Sequence, residues 1–582
     1  KTKGTKLKCK TVFQLLRLFF SLGILYKLTS MRLNKKIIIN NITLLFLLIF
    51  SFCVNQYYGY KGLTPLDDFL NFNCGYRILT GDLPFKDYYS VTGPALCIVQ
   101  NFFYKIFGVN WFSLVIHASV FNVILCGIFY FFLKKIKIPD YLIILLCLGI
   151  SILGYPNNGV PGVDHHGWVL SLSSLLFFYL GLIKNNKIIF ILSPIFLFLS
   201  FLVKQVPSAY FLILIVFLYF NYGIKDKKFY SLKALIITSA SSIFFLSFLL
   251  KIYDINLNKF IEQYIYLSLN LGSNRFEIIN LSFFKENLSN IYFLFFLIIP
   301  LVINYYYFSK KLKNNIDNKI IKLDFFISLF LIVICYVYEL HTNNSAMSFI
   351  ALPIVVLFMY KIQHRIKNIY FLNYIYGLLI FYSWFRLAQN NFYFALVELI
   401  IFLIIIVFIT SKKKFFFNTQ SFLVIYFIFS TAYYFQTSVD SRKYKDISND
   451  NKYLSFDGAE INKKFKNLDW NTSYKTNKEN EIENFILKIN LLKKLDKKFI
   501  FITDYQIYNN ILSFKDYSPV KYWHTGVSYP DKKSKYRLNF EIFFKNKIIK
   551  NDIKYLIIDN RASVFEETIE DYDFLYKCSS KI

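Results

Sequence analysis

The chain has 582 residues, of which 55% are hydrophobic, 20% aromatic and 18% charged. That composition excludes a disordered protein, which would be poor in aromatics. A mean hydropathy of +0.41, with apolar runs of about 20 residues recurring along the chain, excludes an ordinary soluble enzyme. The formal net charge is +31, from 67 basic and 36 acidic residues, and only nine of the basic residues are Arg. A basic excess of this size can mark a nucleic-acid binder, but its distribution points elsewhere.

The sequence begins at Lys1, and its first Met is Met31, which opens Met-Arg-Leu-Asn-Lys-Lys before an apolar stretch. Residues 1–30 read as upstream translation or an N-terminal tail and are set aside. Apolar runs then predict about 13 membrane spans, near 38–56, 111–133, 140–155, 167–183, 188–203, 206–222, 232–253, 290–308, 323–339, 345–360, 368–386, 391–410 and 415–435. With Met31 inside, about 23 Lys and Arg fall in inner segments and about 10 in outer ones. The positive-inside rule then sets the N-terminus in the cytoplasm and the C-terminus outside. The +31 is thus mostly topology, and no nucleic-acid partner is expected.

Residues 31–435 hold only 15 Asp and Glu, ten of them in outer loops, and only Glu398 lies well inside a span. An ion-coupled transporter is expected to carry more ionisable groups at mid-membrane. Residues 436–582, with 27 basic and 21 acidic residues, lack a spanning run and read as a soluble extracytoplasmic domain. Within it, 498–504 and 554–559 read as buried strands ending in Asp, and 479–496 as a helix, giving a small α/β layer. The fold class is therefore an α-helical polytopic membrane protein with a small C-terminal α/β domain. The eight cysteines show no CxxC spacing and read as small apolar core residues rather than a disulfide frame or zinc site.

The first outer loop, 57–110, carries the strongest signal. Pro65 and Asp67 suit the start of a helix that Gly81 ends, and 95–107 is too short to span and suits the membrane interface. An acidic pair, Asp67-Asp68, is followed by the turn Leu79-Thr-Gly-Asp-Leu-Pro-Phe-Lys-Asp87, the lead-in Gly93-Pro94 and the stop Phe107-Gly108. In order and spacing this resembles the GT-C superfamily of membrane glycosyltransferases, in its lipid A aminoarabinose transferase-like and protein O-mannosyltransferase-like branches. The detailed resemblance covers about 50 residues; the spans and the outer domain match more loosely.

The resemblance implies an inverting transferase that moves a sugar from a polyprenyl-phosphate donor to a lipid, glycan or protein acceptor at the outer face. Such a displacement needs a carboxylate to take the acceptor's hydroxyl proton and positive charge or donors beside the leaving phosphate. Asp67 aligns with the family's essential aspartate and is the expected base. Asp68, about 100° away around the helix, is expected to support it or to accept a hydrogen bond. The competing reading is that both acids merely favour a helix N-terminus.

Donor or acceptor contacts are expected from Asp87 and Tyr88 in the turn and from Asp164, His165 and His166 in the second outer loop. Lys204 and Gln205 at an outer span boundary, Arg275 and His341 complete the candidates. Lys204 suits either a phosphate contact or a snorkelling helix end. Asp164 is the best candidate for a divalent cation, which is otherwise undetermined; it also suits a capping role. The competing functions are a transporter or flippase of lipid-linked saccharide, needing essential groups at mid-membrane such as Glu398, and an oligosaccharide polymerase or ligase, needing a later Arg-rich loop. The expected location is the bacterial inner membrane.

Overall fold

The computed structural model describes residues 35–63, 65–219 and 229–270, isolated positions between 428 and 439, and 455–559 apart from 471–477, 496–497 and 525. The protein is mostly helical. The seven apolar runs before residue 254 form α1 (Lys35–Tyr58), α4 (Trp111–Lys135), α5 (Asp140–Leu153), α6 (Val163–Lys184), α7 (Lys187–Val203), α8 (Gln205–Leu218) and α9 (Phe229–Ile252). Among the described residues three stretches are long and apolar enough to cross a membrane: Ile38–Tyr58, Trp111–Lys135 and Phe229–Ile252. Their 21 to 25 residues match the roughly 30 Å of a hydrocarbon core at 1.5 Å per residue. Helix α1 exposes Ile38, Ile42, Leu45, Phe46 and Ile49 and buries Leu47, Ser51 and Asn55. The runs at 290–308, 323–339, 345–360, 368–386 and 391–410 lie outside the described residues, and of 415–435 only isolated positions are described.

Between α1 and α4 the chain forms α2 (Pro65–Leu79) and α3 (Ala95–Phe107). Gly81 leaves α2 at φ 89° and Gly108 leaves α3 at φ 79°, a region that disfavours side chains. The two helices run antiparallel, because the Tyr104 hydroxyl donates to Phe72 O at 2.9 Å while Cys97 meets Cys74. At their crossing only a glycine fits at position 75, where a Cβ would stand 2.5 Å from Gln100 Cγ.

Cys74 and Cys97 are joined in a disulfide, which corrects the expectation that the cysteines are only apolar filler. Cys126 and Cys147 are buried thiols, and Cys53 is exposed. The 23-residue separation gives no local spacing signal; the hairpin of α2 and α3 creates the pairing. Closing a loop of that length removes unfolded-state entropy worth about 3 kcal/mol. Reduction, or Cys74→Ala, is therefore expected to lower the thermal midpoint by several degrees and to expose one further alkylatable thiol for each cysteine released. An unchanged midpoint with and without reductant would count against a stabilising bridge.

Helix α2 is buried on both sides. Phe69 and Phe72 enter an aromatic core with Trp111 of α4 and with Phe465, Trp470 and Tyr505 from the C-terminal residues. The Phe69–Trp470 and Phe72–Phe465 ring centroids lie 5.5 and 5.6 Å apart, within the range of favourable aromatic contact. Main-chain bonds tie the same parts together: Asp469 N donates to Tyr60 O at 2.8 Å, Tyr89 N to Pro519 O at 2.8 Å and Lys521 N to Tyr89 O at 3.1 Å.

In the C-terminal part, β1 (Phe456–Asp457) pairs antiparallel with β2 (Asp469–Trp470). After α10 (Lys478–Lys493), β3 (Phe499–Ile502) pairs parallel with β4 (Tyr555–Ile558). The crossover between them carries α11 (Tyr508–Leu512) and α12 (Arg537–Asn551), as a parallel pair requires. Asp559, at the end of β4, is held by Lys488 Nζ at 2.7 Å and the Thr503 hydroxyl at 3.2 Å.

Candidate functional site

Asp67 and Asp68 both lie in the first turn of α2, where the exposed N–H groups favour negative charge. Their environments differ. Asp67 is exposed and Asp68 fully buried. Asn71 Nδ2 donates to the Asp67 main-chain oxygen at 2.9 Å, fixing the first turn without engaging the Asp67 carboxylate.

The turn after α2 is built from its own side chains. Asp87 Oδ2 accepts from Leu83 N at 2.9 Å. Tyr88 is fully buried, with its ring 3.9 Å from the Arg77 guanidinium carbon, and burial pushes its hydroxyl pKa up against the opposing Arg77 charge. Arg77 is itself buried. It donates to Val520 O at 2.9 Å and Ser518 O at 2.8 Å and sits 3.4 Å from Asp82 and 3.7 Å from Asp516. Asn73 Nδ2 adds a bond to Asp516 at 2.7 Å, and Lys515 pairs with Asp82 at 3.1 Å. Two cations and two carboxylates thus balance at the joint between α2 and the C-terminal part.

Beyond the turn the chain runs close to the end of α7. Gly93 N donates to Val203 O at 2.9 Å, and a Cβ on Gly93 would stand 1.9 Å from Leu202 O. This close approach gathers four polar groups. Lys204 Nζ pairs with Asp164 of α6, and Lys521 Nζ donates to the Thr92 hydroxyl at 2.7 Å. Two of the residues singled out in the sequence, Asp164 and Lys204, therefore meet. Lys521 was not singled out, because 429 residues separate it from Thr92 and nothing local marks it. Gln205 acts as a clamp: its Nε2 reaches Val91 O at 2.8 Å, Ser268 Oγ at 2.9 Å and Tyr264 O.

Burial, reinforced by the nearby Lys204 charge, lowers the Lys521 ammonium to about 7. The unfolded chain holds this proton up to about 10.4. Between about pH 7 and 10 the unfolded state thus binds more protons, so this group makes stability rise with pH in that window. Lys521→Met is expected to flatten the rise of thermal midpoint between pH 7 and 10. An identical slope in the variant would contradict a buried, depressed lysine. In function, the same lysine offers its charge to an anion most readily below pH 7.

His166 is buried and belongs to an internal chain. Its Nδ1 lies 3.0 Å from the Tyr155 hydroxyl, its Nε2 lies 3.0 Å from His117 Nε2, and His117 Nδ1 lies 2.8 Å from Gln100 Oε1. His166 Nδ1 also faces the Gly162 carbonyl at 3.2 Å, so the direction of the chain turns on which His166 nitrogen carries the proton. The chain links α3, α4 and α6. His165 is half-buried with its ring 5.5 Å from that of Tyr155. Gln100 and Tyr155 carried no sequence signal, because each is an unremarkable residue until the fold places it beside a histidine.

Arg275, His341 and Glu398 lie outside the described residues. Among the described residues no three His, Cys, Asp or Glu side chains converge as a metal site would, and the Asp164 carboxylate faces Lys204.

A separate cleft of about 480 Å³ opens between the 82–89 turn, the helical turns Leu257–Phe260 and Ile261–Tyr266, and α12. Asp87, a sequence candidate, lies on its wall. Comparison of the chain with family models and with curated proteins finds no match in either.

Proposed function

We propose that the protein is an inverting glycosyltransferase of the GT-C type, moving a sugar from a polyprenyl-phosphate donor to a cell-envelope acceptor. The observation that carries this reading is an exposed carboxylate, Asp67, in the first turn of α2, in a chain that elsewhere brings together the half-buried Lys204 on Asp164 and the buried Lys521 on Thr92. In the proposed reaction Asp67 takes the acceptor's hydroxyl proton as that oxygen attacks the anomeric carbon. The bond from the anomeric carbon to the phosphate oxygen breaks, and the charge left on the phosphate is met by Lys204 and Lys521.

The surroundings suit a lipid-borne donor. Helix α3 exposes Ile98, Phe102 and Ile106, four residues apart on one face, and buries Gln100, Phe103 and Tyr104 on the other. A short amphipathic helix of this kind lies along a membrane interface. The Cys74–Cys97 bridge favours an oxidising compartment for the first loop, in keeping with the basic residues expected on the opposite side. We therefore place the site at the outer face of a multi-pass protein of about 13 spans, with the C-terminal residues extracytoplasmic and the bacterial inner membrane as its location.

The test is turnover of labelled polyprenyl-phosphate sugars by the purified protein in lipid nanodiscs, with an envelope fraction as acceptor. Release of free polyprenyl phosphate is the expected result. Movement of intact lipid-linked sugar across sealed vesicles, with no release, would instead establish transport.

A further inference from the structure

The cleft beside α12 is lined by neither Lys204 nor Lys521. Its size falls within the range of about 300–1,000 Å³ usual for small-molecule sites. Five lysines and three acids line it. The acids are already engaged. Asp82 holds Arg77 and Lys515, Asp87 closes the turn, and Glu262 accepts from the Tyr89 hydroxyl and Asn539. Lys86 is paired with Asp254. Three cations remain. Among the described residues neither Lys259 nor Lys550 forms an ion pair, and Lys259 sits 5.6 Å from the Phe543 ring centre. The third, Lys547, is buried, and its ammonium donates to the Asp87 main-chain carbonyl rather than to a carboxylate. Burial, and then the Arg77 charge, lower it to about 7, so an anion arriving in the cleft would restore its proton.

The other lining groups are suited to sugar. Asn546 offers its amide to hydroxyls, Asn551 donates to Lys547 O at 2.9 Å and keeps its side-chain carbonyl for them, and Tyr517 and Phe543 add aromatic wall with lysines over one face of each ring. Bare phosphate or a lipid headgroup would use the lysines and leave amides and rings idle. We propose that this cleft is a binding site for an anionic saccharide, one bearing a phosphate or a carboxylate. The inference stands on the cleft's own chemistry and is independent of the transferase reading. Where both hold, the cleft grips a part of the acceptor away from the transfer site.

Binding is read directly on the full-length protein in phosphatidylcholine nanodiscs, by titration with glucose 6-phosphate, glucuronate and neutral glucose. Lys259 and Lys550 are exposed, so Lys259→Ala/Lys550→Ala leaves the fold intact and removes two charge-assisted contacts. Saturable binding of either anionic sugar but not of glucose, weakened at least about tenfold in the double variant, is the expected result. Binding of glucose 6-phosphate alone identifies the phosphate-bearing class, and binding of both identifies charge in general. Absence of saturable binding, equal binding of glucose, an unchanged double variant, or displacement of the sugar by nanodiscs rich in anionic lipid would overturn the proposal. None of these readouts depends on transfer, so failure here and failure of the transferase reading are distinguishable.

Discussion

Arg77→Ala is expected to cost about 3–5 kcal/mol, because it leaves buried carboxylates without their main counter-charge. Asp82 and Asp516 are 3% and 7% exposed at the side chain and retain only the Lys515 pair on Asp82 and the weaker field of the buried Lys547. The two carbonyls of Ser518 and Val520 also lose their donors, and Tyr88 loses the guanidinium against which its ring is packed. The break falls at the joint between α2 and the C-terminal part, so the damage has a location. Limited proteolysis in detergent is expected to release fragments from residues beyond 455 well before the wild-type protein is cut. Arg77→Lys restores the charge but not the planar fork that reaches two carbonyls and two carboxylates, so an intermediate midpoint is expected. A midpoint for Arg77→Ala equal to wild type would show that the cluster does not hold the two parts together.

Asp67→Asn is expected to lower the transfer rate by about 10²–10⁴, the usual contribution of a positioned general base. The change is isosteric and the side chain exposed, so stability is expected to move by no more than about 1 kcal/mol, the most such a charge contributes at a helix N-terminus. This separates the two readings of the acidic pair. A carboxylate that merely favours the helix N-terminus is worth about 0.3–1 kcal/mol of stability and nothing in rate. Asp68→Asn changes a fully buried group and is expected to act mainly on stability. A fast Asp67→Asn enzyme beside a slow, fully folded Asp68→Asn enzyme would transfer the base assignment to Asp68.

Much of the local architecture could be read from sequence because its causes are local. Uninterrupted apolar runs made α1 and α4 legible, Pro65 and Gly81 bracketed α2, and the apolar runs before Asp504 and Asp559 marked β3 and β4. The site itself was legible only in part. Asp164 and Lys204 each attracted notice as polar residues at span ends, but their contact depends on how α6 packs against α7. Lys521, Asp516 and the Cys74–Cys97 bridge were invisible for a common reason. Each acquires its role from a partner that only the tertiary fold supplies, 429 residues away for Lys521 and Thr92 and 443 for Asp516 and Asn73. Tyr88 shows the reverse: a residue suited by type to sugar contact is packed wholly beneath Arg77.

The transferase reading is tested most directly by the anomeric configuration of the product. One labelled polyprenyl-phosphate sugar would be supplied to proteoliposomes with and without an imposed ion gradient, and the linkage formed on the acceptor determined by NMR. The proposed single displacement gives inversion at the anomeric carbon, at a rate unaffected by collapsing any gradient. Retention of configuration would contradict a mechanism with Asp67 as base and no covalent intermediate, and gradient-dependent uptake of sugar without a new glycosidic bond would contradict transfer altogether.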